Sequence, residues 1–199
     1  MSVKLFYTLL FFTILIGCGR KSITDKELLD YALDADNGLL QREEKSNTVL
    51  EMYYKPKELV MKQELLGISD AKTIADVTAR FDSLDYFVLR LARAGKEIET
   101  SYASDPQRFN DVINYLSYYM AEDLSLINDR DTVPVLDIVY VRGFGATDAT
   151  SVMAVFNSKL KTKDGIAKVV FNDQKLGTGL NEFEFNTDDI KNIPSLKQN

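Results

Sequence analysis

Residues 180–185 near the C-terminus read LNEFEF, and this short stretch carries the clearest structural signal in the chain. Phe183 and Phe185 alternate with Glu182 and Glu184. Because successive side chains of a strand point to opposite faces, the alternation predicts a strand with one buried face. Similar runs, separated by glycine-containing turns, cover residues 123–127, 133–142, 151–156 and 167–171. The second half of the chain is therefore predicted to form an antiparallel sheet or sandwich.

Helical signals concentrate in the first half of the chain. Thr24 and Glu27 have the spacing of a capping box, which predicts a helix from about residue 25 to residue 36. Ser69 or Asp70 can cap a second helix, and Asp105-Pro106 is a typical start for a third. Two strands are predicted among these helices, over residues 47–54 and 86–93. Runs of helices followed by runs of strands favour the α+β class, with a helix-rich N-terminal half, a few strands, and then an antiparallel β-sheet or sandwich.

The first seventeen residues have the layout of a cleavable signal peptide. Lys4 supplies a short positive segment, and residues 5–16 are mostly apolar. This run is too short to cross a hydrocarbon core of about 30 Å, which takes about 20 helical residues. Its length and its flanks are typical of the apolar region of a signal peptide.

The segment ends in Leu15-Ile16-Gly17-Cys18, which resembles the lipobox of bacterial lipoproteins. In that family the cysteine thiol receives a diacylglycerol, the peptide is cut directly before the cysteine, and the new amine is acylated. The resemblance implies a cleaved signal peptide over residues 1–17, a tether over 18–23 with lipid on Cys18, and a single α+β globular domain over 24–199. Several acyl chains anchor a protein stably to a membrane without a transmembrane helix.

The residues after Cys18 also bear on location. In such lipoproteins an aspartate directly after the cysteine often signals retention at the inner membrane, whereas Gly19 stands here and favours the outer membrane. In some bacteria an acidic cluster at this point promotes export to the cell surface. Arg20 and Lys21 are basic, which favours the periplasmic face of the outer membrane.

The composition argues against several chemistries. The chain has no histidine and one cysteine, and that cysteine is the predicted lipidation site. These counts exclude Ser-His-Asp and Cys-His catalysis and the usual zinc sites, so no cofactor and no metal are expected. The formal net charge of −6 makes nucleic acid an improbable partner.

Three local motifs resemble functional sites. Asp34-Ala35-Asp36-Asn37-Gly38 resembles the opening of a calcium loop, but Leu39 and Lys45 stand where an EF-hand needs glycine and glutamate. Gly143-Phe144-Gly145 lacks the third glycine of a dinucleotide-binding loop and is predicted to be a turn. An acidic stretch could supply the two carboxylates of a glycan hydrolase, could hold a hard cation, or could be a solvated surface; it consists of Glu122, Asp123, Asp129 and Asp131.

A protein partner would most naturally use exposed aromatic and arginine side chains. Tyr115 and Tyr119 share a face at helical spacing, and tyrosine combines a large ring with a polar tip. The segment Arg142 to Asp148, with Phe144, is the second candidate. The alternative for the tyrosines is a core edge whose hydroxyls reach solvent.

Taken together, these features predict a lipid-anchored envelope lipoprotein that is not an enzyme. It would bind, or help to assemble, a protein component of the outer membrane or periplasm. Two alternatives stay open. The first is an immunity or inhibitor protein that neutralises an incoming toxin, and the second is a carboxylate-based glycan hydrolase with a deep cleft.

Overall fold

The computed structural model of the protein describes residues 22–197 apart from 130, 159 and 161. The predicted signal peptide, the predicted lipidation site Cys18 and residues 19–21 lie outside these residues. Eight strands form the path of the main sheet, and their bounds are β2 Leu40–Lys45, β3 Thr48–Lys55, β4 Leu84–Arg93, β6 Leu124–Asn128, β7 Asp131–Val141, β8 Thr150–Asn157, β9 Ile166–Asp173 and β10 Gly179–Asn186. Three two-residue strands accompany them: β1 Ser22–Ile23, β5 Lys96–Glu97 and β11 Ser195–Leu196. The α-helices are α1 Asp25–Leu33, α2 Lys57–Glu64, α3 Ala71–Phe81, α4 Pro106–Asn114 and α5 Thr187–Lys191.

The predicted α+β class is wrong. The fold is mostly β, and its helices are interspersed among the strands instead of filling the N-terminal half. The strand order along the sheet is β10-β9-β6-β7-β8-β4-β3-β2, with β5 beside β4, and every neighbouring pair is antiparallel. The prediction failed because β4 pairs with β8, which joins the strands of both halves into one sheet.

The sheet curls until its two edge strands approach each other. The Lys45 ammonium of β2 donates a hydrogen bond to the Leu180 carbonyl of β10 at 2.6 Å. Inside the curl, the Phe87 and Phe185 rings from strands near opposite edges lie 5.1 Å apart between centroids. Both rings are fully buried. The result is a nearly closed barrel with a side-chain core, in which alternate residues of each strand point inward.

The N-terminal end of the barrel is the end at which β3 finishes and β4 begins, with Tyr54 and Asp85 on the inner faces. The described chain begins at this end with Ser22, in the two-residue strand β1, which pairs in parallel with β11. The predicted capping box is confirmed: Glu27 N–H donates to Thr24 Oγ1, and Thr24 N–H donates to a Glu27 carboxylate oxygen. Helix α1 then buries Leu28 completely.

Helices α2 and α3 lie outside the barrel. Val77 and Phe81 of α3 pack on Tyr86 and Val155, which point outward from β4 and β8. The Phe81 and Tyr86 rings stack with their centroids 6.0 Å apart. This second, smaller cluster explains why β4 is buried on both faces.

The loop end of the barrel is the opposite end, where Thr48, Arg93 and Thr150 lie side by side on the inner faces. Residues 98–123 cover it, and α4 starts as predicted, with Asp105 as N-cap and Pro106 in the first turn. The eight residues of β3 separate the two ends by roughly 23 Å. In the described part of the chain, no helix has the length and apolarity needed to cross a bilayer.

Candidate functional site at the loop end

The connection between β7 and β8, residues 142–148, is held by a buried carboxylate. Glu97 is 1% exposed, and its carboxylate accepts hydrogen bonds from three donors in this connection. Gly145 N–H donates at 2.7 Å, Thr147 N–H donates at 3.3 Å, and the Thr147 hydroxyl is the third donor. A surface loop is thus ordered by a charged group inside the protein. We call residues 142–148 the Arg142 loop.

The charge on Glu97 is stabilised where it lies. Burial alone would raise the pKa of Glu97, but the hydrogen bonds from Thr147 and Gly145 and the nearby Arg142 guanidinium outweigh it. The pKa of this carboxyl therefore falls below its usual range. Gly143 leaves room for the arrangement, because a Cβ at that position would lie 1.9 Å from Glu97 Oε1.

The Arg142 loop presents an arginine between two aromatic rings. The guanidinium carbon of Arg142 lies 5.0 Å from the centroid of Phe109 on α4 and 4.6 Å from that of Phe144. Each contact is a cation–π interaction, and together they fix the side chain at the surface. Phe144 itself is 79% exposed.

The backbone at Phe144 is strained. Its φ is +55°, a region that a bulky side chain adopts at a cost of order 1 kcal/mol. The hydrogen bonds to Glu97 on the following residues hold the loop in this form. An exposed ring in a strained, rigidly held loop loses little conformational entropy when a partner covers it.

A second buried carboxylate, Glu99, stiffens the strands beneath the Arg142 loop. The Tyr140 hydroxyl donates to Glu99 at 2.7 Å, and the Thr150 hydroxyl donates to its other oxygen. Burial and the hydrogen bond to Glu99 raise the pKa of Tyr140, so this phenol stays protonated. Tyr140 and Thr150 lie just before and just after the loop, so both of its ends are fixed.

The two predicted tyrosines line a cavity of about 530 Å³ beside α4. Tyr115 is only 4% exposed, and its hydroxyl donates a hydrogen bond to the Asp123 carboxylate at 2.5 Å. It is therefore a residue at the edge of the core whose hydroxyl already has a partner. Tyr119 is 59% exposed. Between them the helix widens into a π-helical turn over Tyr115–Tyr119. The mouth of the cavity also carries Arg108, Asp111, Glu122 and Lys175.

The structure thus places all four predicted surface residues near α4, in two groups. Arg142 contacts both Phe109 and Phe144, whereas Tyr115 and Tyr119 line the cavity with Arg108 and Asp111. Sequence reasoning missed Glu97 and Phe109. Glu97 follows the turn at Ala94-Gly95 as an ordinary charged residue, so the chain gives no local sign that its carboxylate is buried.

The acidic stretch does not converge on one site. Glu122 and Asp123 precede β6 at the loop end, whereas Asp129 and Asp131 follow it at the N-terminal end. Asp123 accepts hydrogen bonds from Tyr115 and from Gln174 N–H, and Asp129 accepts one from Lys163 N–H. Within residues 22–197, excepting 130, 159 and 161, no group of three or more acidic or cysteine side chains is arranged to hold a metal ion.

We found no family model, no curated protein and no solved structure with significant similarity to this chain.

Proposed function

We propose that this protein is a lipid-anchored envelope lipoprotein whose loop end binds another protein of the outer membrane or periplasm. The observation that carries the proposal is the Arg142 loop. Phe144 is 79% exposed on a strained backbone, and the loop is fastened from inside by Glu97.

The chemistry at the loop end supports binding more than catalysis. Arginine and aromatic residues are the side chains that most often dominate the free energy of protein interfaces. The Arg142 guanidinium and the Phe144 ring offer both at one point, within 4.6 Å of each other. Asp111 and Glu122, the carboxylates at the mouth of the neighbouring cavity, are exposed to solvent. A glycan hydrolase needs one carboxylic acid in an apolar environment that raises its pKa.

The proposed lipid on Cys18 would strengthen such binding. A tether confines the domain to a thin layer beside the membrane, which raises its effective concentration near other membrane components. A rigid surface of modest area can then be largely bound by its partner even when the affinity of the isolated domain is low. The net charge of −6 also disfavours nonspecific association with nucleic acid.

A crosslinked pull-down from membranes tests the proposal. The wild type should recover one or two envelope proteins, and Phe144→Ala should reduce that recovery by roughly tenfold, the scale of a single interface hot spot. Leu136→Ala is the matched control, because Leu136 is 60% exposed on β7, outside the Arg142 loop. It should leave recovery unchanged. Cys18→Ala should lose both the membrane fraction and the partners.

The outcome also separates the alternatives. Equal recovery with Phe144→Ala and wild type would remove the Arg142 loop from the interface. Recovery of a single protein that appears only when cells are challenged with competing bacteria would favour the immunity or inhibitor role over a constitutive assembly role.

A further inference from the structure

A groove of about 480 Å³ lies on the outer side of the barrel between α1, β3 and α2. Three lysines stand around it: Lys26 on α1, Lys55 on β3 and Lys62 on α2. The other lining residues are Asp25, Leu29, Tyr53, Leu59, Gln63 and Leu66. We call this surface the lysine groove.

The lysine groove combines exposed apolar side chains with cations. Leu66 is 73% exposed and Leu29 is 37% exposed. Lys62 pairs with Asp25 at 2.7 Å, and Lys26 pairs with Asp30 on the same helix. Lys55 is half-buried against the groove and has no carboxylate partner among the described residues. Leucines flanked by lysines are typical of surfaces that rest in the headgroup region of a bilayer.

Residues of the lysine groove lie close in sequence to the proposed lipidation site. Asp25 and Lys26 follow directly after Ser22–Ile23, the strand that ties the chain to β11. Ser22 is four positions after Cys18, so even a fully extended link holds Ser22 within about 14 Å of the lipidated residue. A bilayer that holds the acyl chains therefore lies beside the N-terminal end of the barrel.

Lys55 is the groove lysine that can meet an anionic headgroup without a competing carboxylate among the described residues, because Lys26 and Lys62 pair with Asp30 and Asp25. Helix α1 itself is acidic, since Asp25, Glu27 and Asp30 outnumber Lys26. Each cation near an anionic leaflet contributes about 1 kcal/mol of attraction, which decays within a Debye length.

We propose that the lysine groove docks on the membrane surface, with its lysines on anionic phospholipid headgroups and Leu66 in the interface. This inference rests on the proposed lipid anchor at Cys18. It fixes the orientation of the domain: the N-terminal end faces the bilayer, and the Arg142 loop at the opposite end faces away from it toward a protein partner.

Tryptophan fluorescence gives a direct test, because the chain has no tryptophan of its own. The full lipidated protein carrying Leu66→Trp is reconstituted into vesicles of phosphatidylethanolamine and phosphatidylglycerol that contain a bromine-labelled phospholipid. Leu180→Trp is the matched control, since Leu180 is 55% exposed on β10 at the loop end, where Lys45 contacts its carbonyl. Bromine should quench the residue-66 emission at least about twofold more than the control emission, because interfacial side chains lie 5–10 Å deep.

Two further measurements test whether the quenching depends on charge. Replacing phosphatidylglycerol by phosphatidylcholine, or adding Lys55→Glu to the Leu66→Trp protein, should reduce the quenching. Equal quenching at both positions, or quenching indifferent to lipid charge, would overturn the docking proposal. The mass of the N-terminal peptide distinguishes the two levels of failure. An unquenched protein with lipid on Cys18 rejects the docking alone, and a protein without that lipid rejects the anchor as well.

Discussion

The two ends of the barrel each contain a buried carboxylate, and their surroundings are opposite in character. At the N-terminal end, Asp85 is 7% exposed and accepts hydrogen bonds from the hydroxyls of Tyr54 and Ser158. At the loop end, Glu97 is 1% exposed and accepts two backbone N–H groups and a hydroxyl, with Arg142 nearby. At Glu97 the backbone N–H groups, the Thr147 hydroxyl and the Arg142 charge outweigh burial, whereas at Asp85 two hydroxyls, the Leu160 N–H and the Lys57 charge do not.

The difference appears in the acidity of the two groups. Burial raises the pKa of Asp85, and the hydrogen bonds from Ser158 and Tyr54 and the charge of Lys57 offset only part of this effect. The pKa of Glu97 is lowered instead. The loop end therefore uses a stabilised buried charge to order a surface loop, whereas burial at the N-terminal end disfavours the ionised form of Asp85. Substitutions at the two ends should separate these roles.

The largest effect is expected from Glu97→Ala. Removing the carboxylate takes away the acceptor of the N–H groups of Gly145 and Thr147, and a hydrogen bond to a charged group contributes about 1.5–3 kcal/mol. We expect the free energy of unfolding in urea to fall by roughly 3 kcal/mol, with loss of hydrogen-exchange protection at Gly145. Glu97→Gln keeps one acceptor oxygen and should lose less. A stability within experimental error of wild type would show that the loop does not depend on Glu97.

A smaller loss is expected from Gly143→Ala, which leaves Glu97 intact but crowds it. The new Cβ would lie 1.9 Å from Glu97 Oε1 and 2.7 Å from Thr147 Oγ1, so the loop must shift. Overpacking of this kind costs about 1–3 kcal/mol. Urea unfolding measures the loss. Ala substitution at Gly145, where no atom lies within 4 Å of the added Cβ, is the control that isolates backbone strain at its φ of +80°.

Asp85→Asn should act in the opposite direction. Because the pKa of Asp85 is raised by folding, the cost of ionising it appears as the pH rises through its folded value. The variant should therefore be more stable than wild type near pH 7, and the difference should vanish below the ordinary value of 3.8. Thermal unfolding across this pH range measures it. A variant that is less stable at neutral pH would contradict the assignment.

Glu97→Gln should show the opposite pH dependence of stability in the same thermal unfolding experiment. A lowered pKa contributes stability above the ordinary value of 4.5, and this contribution is lost as the pH falls through the lower folded value. The deficit of the variant should thus shrink in acid.

The smallest effect is expected from Lys45→Met at the gap between the edge strands. The lysine bridges β2 and β10 through the Leu180 carbonyl and also pairs with Glu43 at 3.0 Å. The side chain is 39% exposed, so its loss should cost only about 0.5 kcal/mol. A loss several times larger in urea unfolding would mean that this contact, and not the core, keeps the barrel closed.

Local structure was readable from the sequence where a short pattern determines it. The helix starts at Thr24 and Asp105, the strand at 180–185 and the turn at Gly143 are all confirmed. Strand β2 was missed because Gln41-Arg42-Glu43-Glu44 lacks the apolar alternation that marks a half-buried strand. The pairing of β4 with β8 was invisible, since register between distant segments depends on the whole core and not on local periodicity.

The candidate site was predictable only in part, for the same reason. Phe144 and Arg142 stand out in the sequence as an aromatic and a cation in a glycine turn. The contact of Arg142 with Phe109, and the burial of Glu97 beneath the loop, arise from segments more than thirty residues apart that the fold brings together.

The most direct test of the account is photo-crosslinking in native membranes, with one photoreactive residue at position 144 and, in a second protein, one at position 66. We expect protein adducts from position 144 and phospholipid adducts from position 66, because the two residues lie toward opposite ends of the barrel. Phospholipid adducts from position 144, or protein adducts alone from position 66, would contradict the proposed orientation and function.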